Sequence, residues 1–334
     1  MKKFFLFILC IGVMFSSCKK TGDGENEEVI DKTYDAKKFI GENIDAAKQT
    51  FAFKTSELPK TFTLKNGVKI SIPAGTVFKK AGQAVSGDLT LEACAMLKPS
   101  DMILSGTCTN YIGWQGKRYL SSDGFAYIDV KHNERSVDQY LDYGQYINFS
   151  FPTDKGSDAT TEVWQGEEAD SSLIWEDIDE RAWNFDGDQK WGTVVYSNKS
   201  FSFDFGKLGW VNCDVLWTKG AMTTVIVKLT GKIGALAQYQ GYGNGDTFVF
   251  FVSGDVNVVA QLYTTIDATT VKSYDNSMPV GDKGSLIAFS VKEGEFSFAS
   301  QDNVTITEDL ELTLDLKPIK KEELLAKIKA LDPK

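Results

Sequence analysis

The sequence predicts an all-β protein: two tandem antiparallel β-sandwiches with a short C-terminal helix. Three observations carry that expectation. Apolar and polar residues alternate in run after run, as in Val68-Lys-Ile70-Ser-Ile72, Phe201-Ser-Phe-Asp-Phe205 and Leu310-Glu-Leu-Thr-Leu-Asp-Leu316, which is the period of half-buried strands. Turn signals punctuate those runs at short spacing, and Asn66-Gly67 between two of them is a strong hairpin signal. The chain has 334 residues, which at roughly 150 per domain suggests two domains.

The first seventeen residues stand apart. Lys2 and Lys3 precede the apolar run Phe4–Phe15, which ends at Ser16-Ser17 and Cys18. Basic, apolar and small residues in that order form a secretory signal, and the apolar run is shorter than the roughly 20 residues a spanning helix needs. The Ser-Ser-Cys ending resembles the lipobox of bacterial lipoproteins. That resemblance implies cleavage before Cys18, acylation of Cys18 and attachment to the outer membrane, on its periplasmic face or at the cell surface. Lys19 to about Lys37 is polar and acidic and reads as a tether. A short acidic run at this place is also similar to the surface-export signal of Bacteroidota lipoproteins. A short helix is expected over 35–50, with Phe39, Ile40, Ile44 and Ala47 near one face.

From Lys60 onward the period is two. Strands are expected at Phe62–Leu64, Val68–Ile72, from Asp88, at Phe125–Val130 and at Tyr146–Phe151, with Pro73 and Gly75 ending the second. Here the run Gly67-Val-Lys-Ile-Ser-Ile-Pro-Ala-Gly-Thr-Val77, followed by Gly87-Asp-Leu-Thr-Leu-Glu92, resembles the zona-occludens/netrin-receptor β-sandwich domain. Leu120-Ser-Ser-Asp-Gly-Phe125, Phe149-Ser-Phe-Pro152 and Leu208-Gly-Trp-Val-Asn-Cys-Asp214 are similar to stretches of Bacteroidota outer-membrane lipoproteins with this layout. The resemblance implies a β-sandwich over about 60–153.

Further strands are expected at Thr223–Leu229, Thr247–Val252, Val256–Leu262, Ser285–Val291, Glu295–Ala299 and Leu310–Leu316. Pro318 would then open a helix with Leu324, Leu325, Ile328 and Leu331 on one face. The expected organisation is a signal over 1–17, a tether and helix over 18–50, a first sandwich over 51–155, a connecting segment over 156–200, a second sandwich over 201–317 and a helix over 318–334.

Composition narrows the function. The formal charge is −10, and the two signal lysines leave with the signal, so the mature chain is more acidic still. It lacks the basic footprint of a nucleic-acid binder. Beyond Cys10 and Cys18, three cysteines remain, Cys94, Cys108 and Cys213, an odd number that cannot form a complete disulfide framework. Cys94 and Cys108 could pair across strands or remain buried thiols. His132 is the single histidine, which excludes multi-histidine metal sites and argues against a Ser-His-Asp apparatus. No metal or cofactor is expected, and Asn184-Phe-Asp-Gly-Asp188 lacks the full spacing of a calcium loop.

The connecting segment holds the ligand-binding candidates Trp164, Trp175, Trp183, Trp191, Glu167 and Asp177. Open tryptophans beside carboxylates suit stacking on sugar rings, whereas covered ones would plug a core or a domain interface, which is the expectation for Trp164 and Trp183. The leading expectation is a binding or structural module of the cell envelope without catalytic activity, contacting glycan or another envelope protein. The alternative is a surface glycan hydrolase using two carboxylates of 167–188. A minor alternative comes from the sandwich resemblance, since some animal relatives cut themselves at a Phe-Ser pair. Phe149-Ser150 supplies such a pair, but Asn148 stands where one form of that motif has His.

Overall fold

The computed structural model describes residues 30–153, 161–169, 172–178, 194–238 and 245–333. It is all-β, with three short α-helices among the described residues, the last of them near the C-terminus.

The first part of the chain supplies β1 (Gln49–Lys54), β2 (Lys60–Thr63), β3 (Lys69–Ile72), β4 (Asp88–Met96), β5 (Asn110–Gly113), β6 (Gly116–His132), β7 (Ile147–Pro152), β8 (Glu162–Ala169), β9 (Ser172–Glu176), β10 (Val195–Ser197), β11 (Ser200–Phe205) and β12 (Gly209–Leu216). They build two sheets, in the orders β1-β4-β6-β12-β8-β9-β5 and β10-β11-β7-β3-β2. Alternation decides which side chains meet between them. Ile70, Ile72, Phe149, Phe151, Phe201, Phe203 and Phe205 of one sheet face Leu91, Ala93, Ala126, Ile128 and Val211 of the other in a single core.

β6 is seventeen residues long and does more than one strand's work. Its C-terminal half pairs with β4, and its N-terminal half pairs back with β5. Strands β6, β12, β8, β9 and β5 therefore close into a ring. A ring this small is filled by side chains, here by Tyr111, Leu120, Phe125, Trp164, Leu173 and Trp175.

The rest of the chain supplies β13 (Ile226–Gly231), β14 (Thr247–Ser253), β15 (Val259–Gln261), β16 (Thr264–Asp267), β17 (Thr270–Lys272), β18 (Lys283–Lys292), β19 (Glu295–Thr305) and β20 (Glu311–Ile319), in the sheet order β15-β14-β18-β19-β20-β13-β17-β16. One face of this sheet encloses Val227, Leu229, Phe251, Ala288, Leu314 and Leu316. The pair β13–β20 is parallel, as is the contact of β9 with β5; the other strand pairs are antiparallel.

The other face of this second sheet is apolar too. Phe248, Phe250, Ile287, Phe289 and Phe298 share one core with the ring interior and with α1 (Ala36–Ala47), α2 (Pro99–Ser105) and α3 (Lys321–Lys329). This explains why Thr247–Ser253 reads as an almost unbroken apolar run: the strand is buried on both faces. Residues 31–334 accordingly form one compact unit.

Both expected helices form, the second with a later start. α1 is capped by the Asp35 carboxylate, which accepts from Lys38 N at 2.8 Å, and buries Phe39, Ile40 and Ile44. α3 buries Leu324 and Ile328 but begins at Lys321, because Pro318 still belongs to the end of β20. α2 was not expected, although Pro99 at its first turn and Gly106 in the left-handed region just after it are helix boundary signals.

Two boundaries need correction. Phe201–Phe205 pairs with β7, and Gly209–Leu216 pairs with β6 and β8, so both complete the first sandwich rather than open the second. The described parts of the 156–200 segment are likewise integral strands of that sandwich, because their edges find partners there.

Candidate functional site

The two tryptophans of the expected sugar platform that lie among the described residues are both interior. Trp164 is 2% exposed and Trp175 0%. Trp175 Nε1 donates to Cys108 O at 2.7 Å, and Trp164 Nε1 donates to Asp214 O at 3.2 Å. Trp164 packs edge-on against Tyr111 with ring centroids 4.8 Å apart, and Trp175 lies 5.0 Å from Phe125. Their faces are covered by the ring of strands, so neither offers a stacking surface, which corrects their place among the ligand-binding candidates. Trp183, Trp191, residues 179–188 and Cys18 lie outside the described residues.

Two described carboxylates of this segment, Glu167 and Asp177, are also engaged. Glu167 forms an ion pair with Lys207, whose side chain is 1% exposed, and the same carboxylate accepts from Gln165 Nε2 at 3.0 Å. Lys207 also lies 5.4 Å from the Tyr140 ring centroid. Asp177 accepts from Tyr111 OH at 3.0 and 3.1 Å and from the Trp114 backbone N–H at 3.0 Å. Burial, and further the hydrogen bond to Asp177, push the Tyr111 phenol up to about 12.

A cleft of about 350 Å³ opens where β12 begins. Its neighbours β6 and β8 run on past Gly209 to His132 and Ala169, and Arg135 and Ser136 pair with the edge of β6 that β12 leaves. Tyr127, Asp129, Glu168, Trp210, Ser136 and Gln139 are among its lining residues. Alternation from the paired positions Tyr127, Trp210 and Gly166 puts Asp129 and Glu168 on one face. Trp210 Nε1 donates to Glu168, and Ser136 Oγ donates to Asp129 Oδ2 at 2.7 Å. Burial raises the Asp129 carboxyl, while Lys131, 4.0 Å away and bound at 2.7 Å to Glu92, opposes that shift. Two carboxylates beside the Tyr127 and Trp210 rings suit a cationic or hydrogen-bond-donating group. Alternation along the chain carries no sign of this cleft, because it forms where paired strands end at different positions.

A second feature was overlooked because its tryptophan lies outside the acidic segment. Trp114, at the tip of the β5–β6 hairpin, is 80% exposed. Gly113 lets the tip close on its brace: a Cβ there would sit 2.1 Å from Tyr111 OH and 2.3 Å from Asp177 Oδ2. Gly116, at φ +82°, completes the turn. The local signal was Gly113-Trp-Gln-Gly116 between two strands, but the role of Asp177, 63 residues further on, had none.

The stretches Leu120–Phe125 and Leu208–Asp214 meet on adjacent strands. The register shifts so that Phe125 pairs with Asn212 but Ser122 pairs with Asp214, a bulge at Asp123-Gly124 that bends β6. Asp123 N donates to Asp214 Oδ1 at 3.1 Å, and Ser122 Oγ donates to Asn212 Oδ1 at 3.2 Å. Asp214 is fully buried, which pushes its carboxyl well above the usual range. Ser122 N donates to Asn257 O at 2.9 Å, and Asn257 Nδ2 donates to Leu97 O at 3.1 Å. The bulge thus ties the β14–β15 connection to the first sandwich.

The remaining candidates have ordinary surroundings. Ser150 lies within β7, paired with β11 on one side and β3 on the other. His132 ends β6, in the other sheet, beside a turn formed by Asn133 and Glu134 at positive φ. Cys94, Cys108 and Cys213 are buried, and Cys94 and Cys108 form no bridge; burial raises the Cys94 thiol to about 12. Among the described residues no group of three or more His, Cys, Asp or Glu could hold a metal ion, and no helix is long and apolar enough to cross a membrane. Compared with protein-family models and with curated protein sequences, the chain matches none.

Proposed function

We propose that this chain is a non-catalytic binding module of the bacterial cell envelope, anchored in the outer membrane through acylated Cys18 and contacting glycan or another envelope protein. The observation that carries the reading is the engagement of the described part of the acidic–aromatic segment. Glu167 is held by Lys207, Asp177 braces a hairpin, and Trp164 and Trp175 fill a core. A glycan hydrolase needs one carboxyl free to protonate the leaving group and a second poised opposite it. Glu167 and Asp177 are instead held in fixed structural bonds.

The anchor rests on the order of basic, apolar and small residues before Cys18, and durable attachment takes two or more acyl chains at ~0.8 kcal/mol per buried methylene. The test is a comparison of the full chain with Cys18→Ser. The full chain is expected in the membrane fraction, retaining glycan or envelope protein from a solubilised envelope; the variant should lose membrane association and keep binding. A processed Cys18→Ser chain that still sediments with membranes would overturn the anchor, and release of new reducing ends from polysaccharide would overturn the non-catalytic part.

A further inference from the structure

We infer that the β5–β6 hairpin tip is a sugar-stacking platform, in which the exposed face of Trp114 receives a pyranose ring and Asp177 acts as its positioning residue. The inference deepens the binding-module reading and rests on it. Trp114 is the most exposed large apolar side chain among the described residues, at 80%. Exposure alone would mean little, since single apolar residues are common on surfaces. What distinguishes this one is the brace on the backbone that carries it. Asp177 crosses from the end of β9 to accept the Trp114 backbone N–H, while Tyr111 OH donates to both carboxylate oxygens. The space between them is left by Gly113, where any side chain would collide with the brace.

The surroundings select the partner. Trp114 is flanked in sequence by Gly113, Gln115, Gly116 and Lys117, and Arg118 follows. Among the described residues of the 31–334 unit, the other exposed large apolar residues, Tyr143, Val195 and Ile266, belong to other segments of the fold. A protein interface of ordinary size needs about 800 Å² per partner around an apolar centre, and an isolated ring on a polar hairpin does not begin one. A pyranose has one apolar face and a rim of hydroxyls, which matches a single exposed indole on a braced tip whose sequence neighbours, Gln115 and Arg118, are polar.

The test is an array of neutral pyranose oligosaccharides probed with the full chain in detergent, with affinities for retained members measured by titration calorimetry. The parent should bind at least one. Trp114→Ala should weaken binding about fivefold or more with an unchanged unfolding midpoint, because the side chain is exposed. Asp177→Ala should weaken binding while Asp177→Asn, whose amide oxygen can still accept from the Trp114 N–H, restores it at least in part; a merely structural role would not produce that rescue at equal stability. Unchanged affinity in Trp114→Ala overturns the platform and leaves the module reading standing. Binding by the parent to protein-free phospholipid vesicles that is lost in Trp114→Ala, without oligosaccharide binding, assigns the ring to a membrane and overturns the inference. Cleavage of a bound oligosaccharide overturns the module reading itself.

Discussion

Glu167 and Lys207 show at the residue scale how an apparent active-site acid becomes structure. The lysine side chain is 1% exposed, and an ammonium without a partner there is costly. Glu167→Gln should therefore destabilise the protein by about 1–3 kcal/mol, read as a lower urea midpoint, while ligand retention stays at the parent level. The three buried cysteines allow a second check. Cys94, Cys108 and Cys213 are buried, so a thiol reagent should find none in the folded protein carrying Cys18→Ser. It should find all three in denaturant without reductant once the signal is removed. Two missing thiols in denaturant would mean a disulfide. None of these partnerships was legible beforehand: Lys207 is 40 residues from Glu167, and sequence separation carries no information about which charge faces which.

Individual elements were much more readable, because periodicity is a local signal. Ile70 and Ile72 are both 0% exposed, and Ser71 faces the other way to share a hydrogen bond with Thr61 at 2.8 Å. Ile72→Ala should cost about 2–5 kcal/mol, and Ser71→Ala should barely move the denaturation midpoint; equal effects would mean that β3 is in the wrong register. The same alternation identified Phe201–Phe205 as a strand but could not say which sheet it joins. Pairing Phe203 with Phe149 is a contact across 54 residues, invisible to any window on the sequence. α2 shows a different limit. Its boundary residues are clear, but seven residues are too few for a helical period to stand out.

At the scale of the whole molecule, buried carboxyls should set the response to pH. Asp101, Asp129, Glu176, Asp204, Asp214 and Asp282 are all raised, each chiefly by burial. The lowered carboxyls, Asp31, Glu42, Glu57, Asp267 and Asp315, are on the surface, where solvent screens their pairs. A raised carboxyl holds its proton more tightly folded than unfolded. Its contribution to stability is complete below the unfolded value near 4 and is lost as pH rises through the folded value. Urea midpoints should therefore rise from pH 7 to pH 5; a fall over that interval would mean that the surface pairs dominate.

The whole-molecule claim is that 31–334, one unit around a shared core, binds its ligand and leaves it unchanged. Its most direct test is mass spectrometry of an oligosaccharide retained by the protein, after prolonged incubation with the full chain. The oligosaccharide is expected back intact, at its original mass and amount. Shorter products formed by the parent and absent with Glu167→Gln or Asp177→Asn would contradict the account and restore the hydrolase.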